Sequence, residues 1–185
     1  MHSISRRAFG ALSFAVAGAG LTGVASAQDL ENTLYLDLTY GRVVIQLRPD
    51  KAPKTVARIK ELVREGFYDG TPFHRVIPGF MAQGGDPTGT GTGGSGRTLP
   101  AEFNDIRHER GTLSMARSSN PNSADSQFFI CFAPAPHLDG QYTAFGQVTE
   151  GMEFVDRIKK GSGGNGIVSA PQDRIVKMSV AADAQ

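Results

Sequence analysis

The sequence is most distinctive at Phe73-His74-Arg75-Val76-Ile77-Pro78-Gly79-Phe80-Met81-Ala82-Gln83-Gly84-Gly85-Asp86. In a strand over its first five residues, side chains alternate between two faces, so Arg75 shares one face with Phe73 and Ile77. The turn residues Pro78-Gly79 then predict a second extended segment that ends at the following glycine pair. A cation on a largely apolar face is costly unless something uses it, so we expect Arg75 to have a function.

Outward from this stretch, short extended segments outnumber helices. Residues 33–38 and 42–47 flank a turn and predict a hairpin, and residues 174–180 predict a final strand. Helical periodicity predicts helices over 52–65, ending at a glycine cap, and over 152–159. Many short strands, two modest helices and glycine-rich corners favour a closed antiparallel barrel capped by helices, although they do not fix the strand number.

The N-terminus has the features of an export signal. Ser5-Arg6-Arg7-Ala8-Phe9 contains the paired arginines of a twin-arginine signal, and an uncharged apolar run leads to the small-residue cleavage site Ala25-Ser26-Ala27. A membrane-anchoring helix is the alternative, but the glycines and the cleavage site favour removal. We therefore expect residues 1–27 to be a cleaved signal, residues 28–185 to be one domain, and the mature protein to be periplasmic or otherwise exported, without a membrane segment.

Composition limits the range of partners. Removing the leader takes away Arg6 and Arg7 and no acid, which leaves 17 basic and 18 acidic residues in 158. This near-neutral charge gives no electrostatic reason to expect a nucleic acid partner. Cys131 is the only cysteine, so no intramolecular disulfide can form, and its apolar neighbours predict a buried thiol.

The quoted stretch resembles the signature of the cyclophilins, the cyclosporin-binding family of peptidyl-prolyl cis/trans isomerases. The resemblance extends in family order to residues 111–117, 126–131 and 138–146, and it covers about residues 33–182. It implies an eight-stranded antiparallel β-barrel with a helix over each open end, a packed interior and a substrate groove on the outer surface. It also implies proline-containing polypeptides as substrates, a monomer, and no metal or cofactor.

The resemblance assigns the catalytic role to Arg75. Rotation about an X–Pro amide breaks no bond and has an uncatalysed barrier of about 18–20 kcal/mol. In the twisted amide the prolyl nitrogen loses conjugation and gains a localised lone pair. A guanidinium aimed at that nitrogen interacts better with the twisted form than with the planar form, and it stays charged at any ordinary pH.

An apolar seat for the proline ring is the second requirement, and the resemblance assigns it to Phe80, Met81, Phe129 and Leu138. Taken singly, each of these residues is better explained as a core residue. Strand alternation, however, places Gln127 and Phe129 on one face and Phe128 and Ile130 on the other. We therefore predict that the first pair serves the groove and the second pair serves the barrel core.

The remaining contacts with the peptide are also assigned by resemblance. Gln83 matches a glutamine that contacts substrate backbone and helps to orient the arginine. Ala116 and Arg117 match the edge that receives the extended peptide, and Gly91 matches a nearby loop contact. Tyr142 occupies the position of a groove histidine, and Arg117 that of an asparagine, two replacements similar to those of bacterial members.

A third departure concerns the drug that gives the family its name. His137 stands where a tryptophan is usual, and the chain contains no tryptophan. The missing indole N–H would donate to cyclosporin, so we expect weak cyclosporin binding. Two other histidines are predicted to have no catalytic role: His74 as a hydrogen-bonded structural residue facing away from Arg75, and His108 as a solvated loop residue.

Other functions have weaker support. Gly89-Thr90-Gly91-Thr92-Gly93-Gly94 fits a dinucleotide-binding pattern, but no helix is predicted after it, so a surface loop is favoured. The sequence contains no G-x-S-x-G elbow, which argues against a hydrolase. It also contains no cluster of His, Cys or acidic residues with the spacing of metal ligands. The main alternative is a peptide-binding or chaperone module of the same fold whose isomerase activity is lost or incidental.

Overall fold

The computed structural model describes residues 27–184, so the predicted signal lies, apart from Ala27, outside the described residues. The described residues form three α-helices: α1 (Ala27–Glu31), α2 (Pro53–Arg64) and α3 (Met152–Asp156). The same part of the chain contains eight strands: β1 (Thr33–Leu38), β2 (Gly41–Leu47), β3 (Arg75–Ile77), β4 (Met81–Gly84), β5 (Thr112–Met115), β6 (Phe128–Cys131), β7 (Ala144–Glu150) and β8 (Ile175–Val180). None of the described helices has both the length and the apolar character needed to cross a membrane.

All eight strands belong to one antiparallel sheet in the order β3-β4-β6-β5-β7-β2-β1-β8. This confirms the predicted strand number and direction. The sheet curls so that the segments directly before its two end strands meet at a bridge between Pro72 and Arg174, but among the described residues no ladder joins β3 to β8. The barrel is thus less completely closed than predicted, because β3 is only three residues long.

The barrel interior follows from alternation along the strands. In β1 every second residue is buried, and β2 shows the same alternation from Val43 onward. Helix α2 packs its apolar stripe, which includes Val56 and Ile59, against the same core. The interior is therefore filled by side chains, and a ligand must bind elsewhere.

The two predicted helices exist, and their ends have local causes. Helix α2 starts at Pro53 and is followed by Gly66 with a φ of 70°, as the cap pattern predicts. Helix α3 is three residues shorter than predicted. Its chain tightens after Asp156, and the N–H of Lys159 donates to an Asp173 carboxylate oxygen at 2.7 Å instead of continuing the helix.

The predicted position of Phe73 is wrong. β3 starts only at Arg75, and the Phe73 N–H donates to the carbonyl of Asp173 at 2.9 Å, outside the β3–β4 ladder. Strand alternation therefore does not extend back to Phe73. Its ring is fully buried in the barrel core, whereas Arg75 and Ile77 lie on the outer face.

Candidate active site

A second apolar cluster lies outside the barrel, on the outer face of β4 and β6. Its buried members are Met81, Phe129, Cys131, Ala135 and Leu138, and the half-buried Ile77, Phe80, Ala116 and Tyr142 pack against it. Along β6, Phe128 and Ile130 belong to the barrel core, while Phe129 and Cys131 belong to the outer cluster. The predicted split between the two faces of this strand is confirmed.

A groove of about 560 Å³ opens over this cluster. It brings together ten of the eleven residues predicted for the site: Arg75, Phe80, Met81, Gln83, Gly91, Ala116, Arg117, Phe129, Leu138 and Tyr142. Gln127 lines an adjoining hollow of about 390 Å³ that shares Gln83, Gly91, Ala116 and Arg117 with the groove. Six further lining residues were not predicted as site residues: His74, Gly89, Thr90, His137, Asn165 and Ile167.

The Arg75 guanidinium is held by two neutral acceptors. Its Nε donates to the carbonyl of Asn165 at 2.9 Å, and one terminal nitrogen donates to Gln83 Oε1 at 3.2 Å. Arg75 and Gln83 face each other across the β3–β4 ladder, which fixes their distance. No carboxylate of the described chain pairs with Arg75, so its positive charge remains available to a ligand.

A chain of amide hydrogen bonds holds Gln83 on the side away from Arg75. Gln83 Nε2 donates to Gln127 Oε1 at 2.9 Å. The Gln127 amide in turn donates to the carbonyls of Gly91 and Gly93 at 3.0 and 2.8 Å. Gln127 therefore acts on the arginine through Gln83 and fixes the orientation of both amides, because each side-chain oxygen is already an acceptor.

Aromatic contacts shape the apolar part of the groove. The Phe129 and Tyr142 rings meet edge to face with centroids 5.9 Å apart, and Phe80 lies 5.5 Å from the His137 ring. Phe129 and Leu138 are almost completely buried, while Phe80 is half-buried. The floor is therefore closely packed, and the rim can still be reached from solvent.

Arg117 is fixed along the groove wall. Its guanidinium lies over the Tyr142 ring, 4.4 Å from the centroid, and two of its nitrogens donate to the carbonyl of Gln141 at 2.9 and 3.2 Å. These contacts tie the strand edge after Ala116 to the segment that carries Leu138 and Tyr142. The two replacements noted in the sequence, Arg117 and Tyr142, thus form one cation–π pair.

The glycine-rich segment 89–94 forms the rim of the groove. The buried Asp86 carboxylate accepts hydrogen bonds from the N–H groups of Thr88, Gly91 and Gly93 at 2.8, 2.6 and 3.1 Å. Burial alone would raise the pKa of Asp86, but these bonds and the Thr88 hydroxyl hold that pKa at about 2. The amides that a dinucleotide phosphate would need are already occupied, and no helix follows, so the segment is a surface loop.

The prediction for His74 is wrong in two respects. The residue lines the groove beside Gly91 instead of facing away from it, because regular alternation begins only at Arg75. It is buried, yet neither ring nitrogen has a hydrogen-bond partner of good geometry in the described structure. Burial lowers the pKa of His74, so the ring is neutral at pH 7.

The prediction for His108 as a solvated residue is also wrong. Its buried ring places Nδ1 2.9 Å from an Asp139 carboxylate oxygen and Nε2 3.0 Å from the Ser114 hydroxyl, and it stacks on Phe129 with centroids 6.1 Å apart. The backbone N–H and then the ring of His108 lower the pKa of Asp139. Ser114 is fully buried, so this Ser–His–Asp arrangement has no accessible nucleophile and supports the floor of the groove.

Asn165 and Ile167 reach the groove through a glycine-rich segment between α3 and β8. This segment, residues 161–168, is docked on β3: Val76 N–H donates to Gly166 O at 2.7 Å, Gly161 N–H to Val76 O at 2.9 Å, and Val168 N–H to His74 O at 3.0 Å. A Cβ on Gly161 would overlap the carbonyl of Gly166, so close approach explains this glycine. Dense glycine at 161, 163, 164 and 166 was the only sequence signal.

Other reactive groups do not add to the site. Cys131 is fully buried, as predicted, and burial raises the pKa of its thiol to about 12, so it is not a nucleophile. In the described part of the chain, no three His, Cys, Asp or Glu side chains are grouped closely enough to hold a metal ion.

Comparison with known proteins gives a consistent result. Residues 33–180 match the family described as cyclophilin type peptidyl-prolyl cis-trans isomerase/CLD. A probable peptidyl-prolyl cis-trans isomerase of Brucella suis is 53% identical over 98% of both chains, and peptidyl-prolyl cis-trans isomerase B of Bacillus subtilis is 51% identical over 65% of this chain and 85% of its own length. A crystal structure of a Cryptosporidium parvum cyclophilin type isomerase, determined in the presence of the dipeptide Ala-Pro, matches with a TM-score of 0.73 at 32% identity, over 80% of this chain and 98% of its own.

Proposed function

The chain belongs to the cyclophilin-type peptidyl-prolyl cis-trans isomerases, and from this premise we propose that it accelerates rotation of X–Pro bonds through Arg75. One observation supports this role above all others. The guanidinium is fixed at the edge of an apolar floor, is held only by neutral oxygen acceptors, and has no carboxylate partner in the described chain. A cation kept unpaired in this way can interact with a lone pair that develops during the reaction.

The proposed reaction needs only differential binding. With the proline ring held against Phe80, Met81, Phe129 and Leu138, the prolyl nitrogen comes within reach of Arg75. In the planar imide that nitrogen is a poor acceptor, and in the half-rotated imide its lone pair is localised. Each ~1.4 kcal/mol by which the guanidinium prefers the rotated form increases the rate about tenfold.

The substrates we propose are extended polypeptides that contain proline. The groove is open along one side, bounded by Ala116 and Arg117 and by the rim at Gly91, so a chain can cross it without its ends entering a cavity. The related Cryptosporidium protein was crystallised with the dipeptide Ala-Pro, a fragment of such a substrate. We further propose that the mature domain works as a monomer outside the cytoplasm, after removal of residues 1–27.

Isomerisation of short peptides tests this function. Cis/trans exchange of a peptide such as acetyl-Ala-Ala-Pro-Ala-amide is measured by exchange NMR with catalytic amounts of residues 28–185. We expect rapid exchange with the wild type and a loss of about a hundredfold or more with Arg75→Ala, at unchanged circular dichroism. A wild type that binds the peptide but does not accelerate exchange would instead support the peptide-binding module, the second function that this fold permits.

A further inference from the structure

Ile167 is a large apolar residue left open to solvent at the edge of the groove. Its exposed fraction is 58%, and among the large hydrophobic side chains of the described residues only Phe103 and Val176 are comparably exposed. An isolated exposed apolar side chain needs no explanation by itself. Ile167, however, lines the same groove as Arg75, and this position gives it a specific neighbour.

Backbone pairing fixes the direction of the Ile167 side chain. Ile167 forms an antiparallel bridge with Arg75. Residues that face each other in an antiparallel pair project their side chains from the same face of the sheet. Since Arg75 projects into the groove, Ile167 projects into it as well, which agrees with its place among the lining residues.

Strand order places Ile167 at one end of the groove. The outer face runs β3, β4, β6, β5, with Ala116 directly after β5 at one end. Segment 161–168 lies beyond β3, at the opposite end. A peptide whose proline occupies the floor on β4 and β6 therefore has one neighbour near Ala116 and the other near Ile167.

Backbone hydrogen bonds hold Ile167 in place before any peptide binds. Bridges to Arg75 and Ser162 hold its backbone from both sides, and the next residue, Val168, donates to the carbonyl of His74. Among the described residues that line the groove, only Arg75 carries a charge on this side, and Arg117 lies at the other end. Little conformational entropy is lost when a side chain binds to a surface that is already ordered.

We propose that Ile167 is a specificity-determining residue that contacts an apolar side chain next to the substrate proline, on the side away from Ala116. This inference rests on the proposed isomerase function and narrows its substrate class. The occupant is a branched apolar residue such as leucine, because contact with Ile167 removes apolar surface of both side chains from water, a gain that a polar side chain of the same shape does not give.

Two peptide series test the proposal, acetyl-Ala-Yaa-Pro-Ala-amide and acetyl-Ala-Ala-Pro-Yaa-amide, with Yaa either leucine or the similarly shaped asparagine. Catalysed exchange is measured by NMR for each peptide, and the ratio of kcat/KM between leucine and asparagine is compared. We expect a ratio of about five in one series and about one in the other. In the selective series, Ile167→Ser reduces the ratio to about one.

Val176→Ser is the matched control. Val176 has the same exposed fraction, 58%, but lies on β8 and does not line the groove, so its ratios should equal those of the wild type. An active wild type without a leucine preference in either series, or a preference that persists in Ile167→Ser, overturns this inference alone. A wild type inactive on every peptide overturns the proposed isomerase function and this inference with it.

Discussion

The two faces of β6 differ in what they contribute to the molecule. Phe128 and Ile130 point into the barrel, where they join a core that extends from β1 to helix α2. Phe129 and Cys131 point outward into a small cluster beneath the groove. One four-residue strand thus supports stability on one side and the proposed activity on the other. Burial alone cannot separate the two roles, since all four side chains are almost completely buried.

The arginines show a similar contrast. Arg110 forms a bidentate ion pair with Asp156 at 2.9 and 2.6 Å, which neutralises its charge. Arg75 donates instead to an amide oxygen and a backbone carbonyl, which orient the guanidinium without neutralising it. Arg75 therefore keeps an oriented positive charge in the groove, whereas the charge of Arg110 is neutralised by its partner.

Replacing large side chains with alanine on the two faces of β6 should have the largest effects on stability and activity. We expect Ile130→Ala to lower the free energy of unfolding by about 2–5 kcal/mol, because the fully buried side chain leaves a cavity in the barrel. Its kcat/KM per folded molecule should stay near that of the wild type. Urea denaturation and exchange NMR at low temperature measure the two quantities.

Phe129→Ala is the counterpart of this change on the outer face. It should reduce kcat/KM more than tenfold in the folded molecule, because it removes part of the floor that we propose to hold proline. If Ile130→Ala lowers the activity of folded molecules as much as Phe129→Ala does, the two faces are not functionally distinct.

Asp86→Asn tests whether the ionised Asp86 carboxylate stabilises the rim of the groove. The pKa of Asp86 is held at about 2, below the ordinary 3.8, so its ionised form contributes about 2 kcal/mol of stability above pH 4. This contribution is lost as the pH falls through 2, because the unfolded chain binds the proton first. The stability difference between wild type and Asp86→Asn should therefore shrink from pH 7 to pH 2. A difference that does not depend on pH would contradict the assigned hydrogen bonds.

Gln83→Leu tests the chain of amide hydrogen bonds behind Arg75. We expect kcat/KM to fall about tenfold, equivalent to ~1.4 kcal/mol, because the guanidinium loses one of its two acceptors. Gln147→Leu is a matched control, since Gln147 is also half-buried and hydrogen-bonded but lies outside the groove. Equal losses in both variants would show a general effect of removing an amide.

His137→Trp tests the smallest expected effect, on drug binding. Wild type should bind cyclosporin weakly, because His137 packs against Phe80 and offers no indole N–H. Restoring tryptophan should tighten binding by about tenfold, the value of one neutral hydrogen bond. Titration calorimetry measures both proteins, and sub-micromolar binding by the wild type would contradict the prediction.

The sequence was sufficient where local pattern and packing agree. Alternation in β1, β2 and β6 and the cap residues of α2 predicted these elements within a residue or two. The errors arose where long-range contacts decide. Phe73 leaves the strand pattern because Asp173 accepts its N–H, and His108 is buried because Asp139 and Ser114 provide its partners.

The sequence predicts the residues at the centre of the groove but not all of those at its edges. Arg75, Phe80 and Gln83 lie in one continuous motif, so a single match predicts all three as site residues. Asn165 and Ile167 come from the other end of the chain, and only the pairing of segment 161–168 with β3 brings them to Arg75. No local pattern contains that pairing.

The most direct test of the central proposal separates binding from rotation in Arg75→Lys. Lysine keeps the positive charge, but one ammonium group cannot hold both the Asn165 and Gln83 oxygens and remain directed at the prolyl nitrogen. Exchange NMR of a saturated X–Pro peptide gives both its Kd and its rate of rotation on the enzyme. We predict a rate reduced about a hundredfold with a Kd changed less than about threefold. Rotation within about threefold of the wild-type rate would contradict the proposed role of the oriented guanidinium.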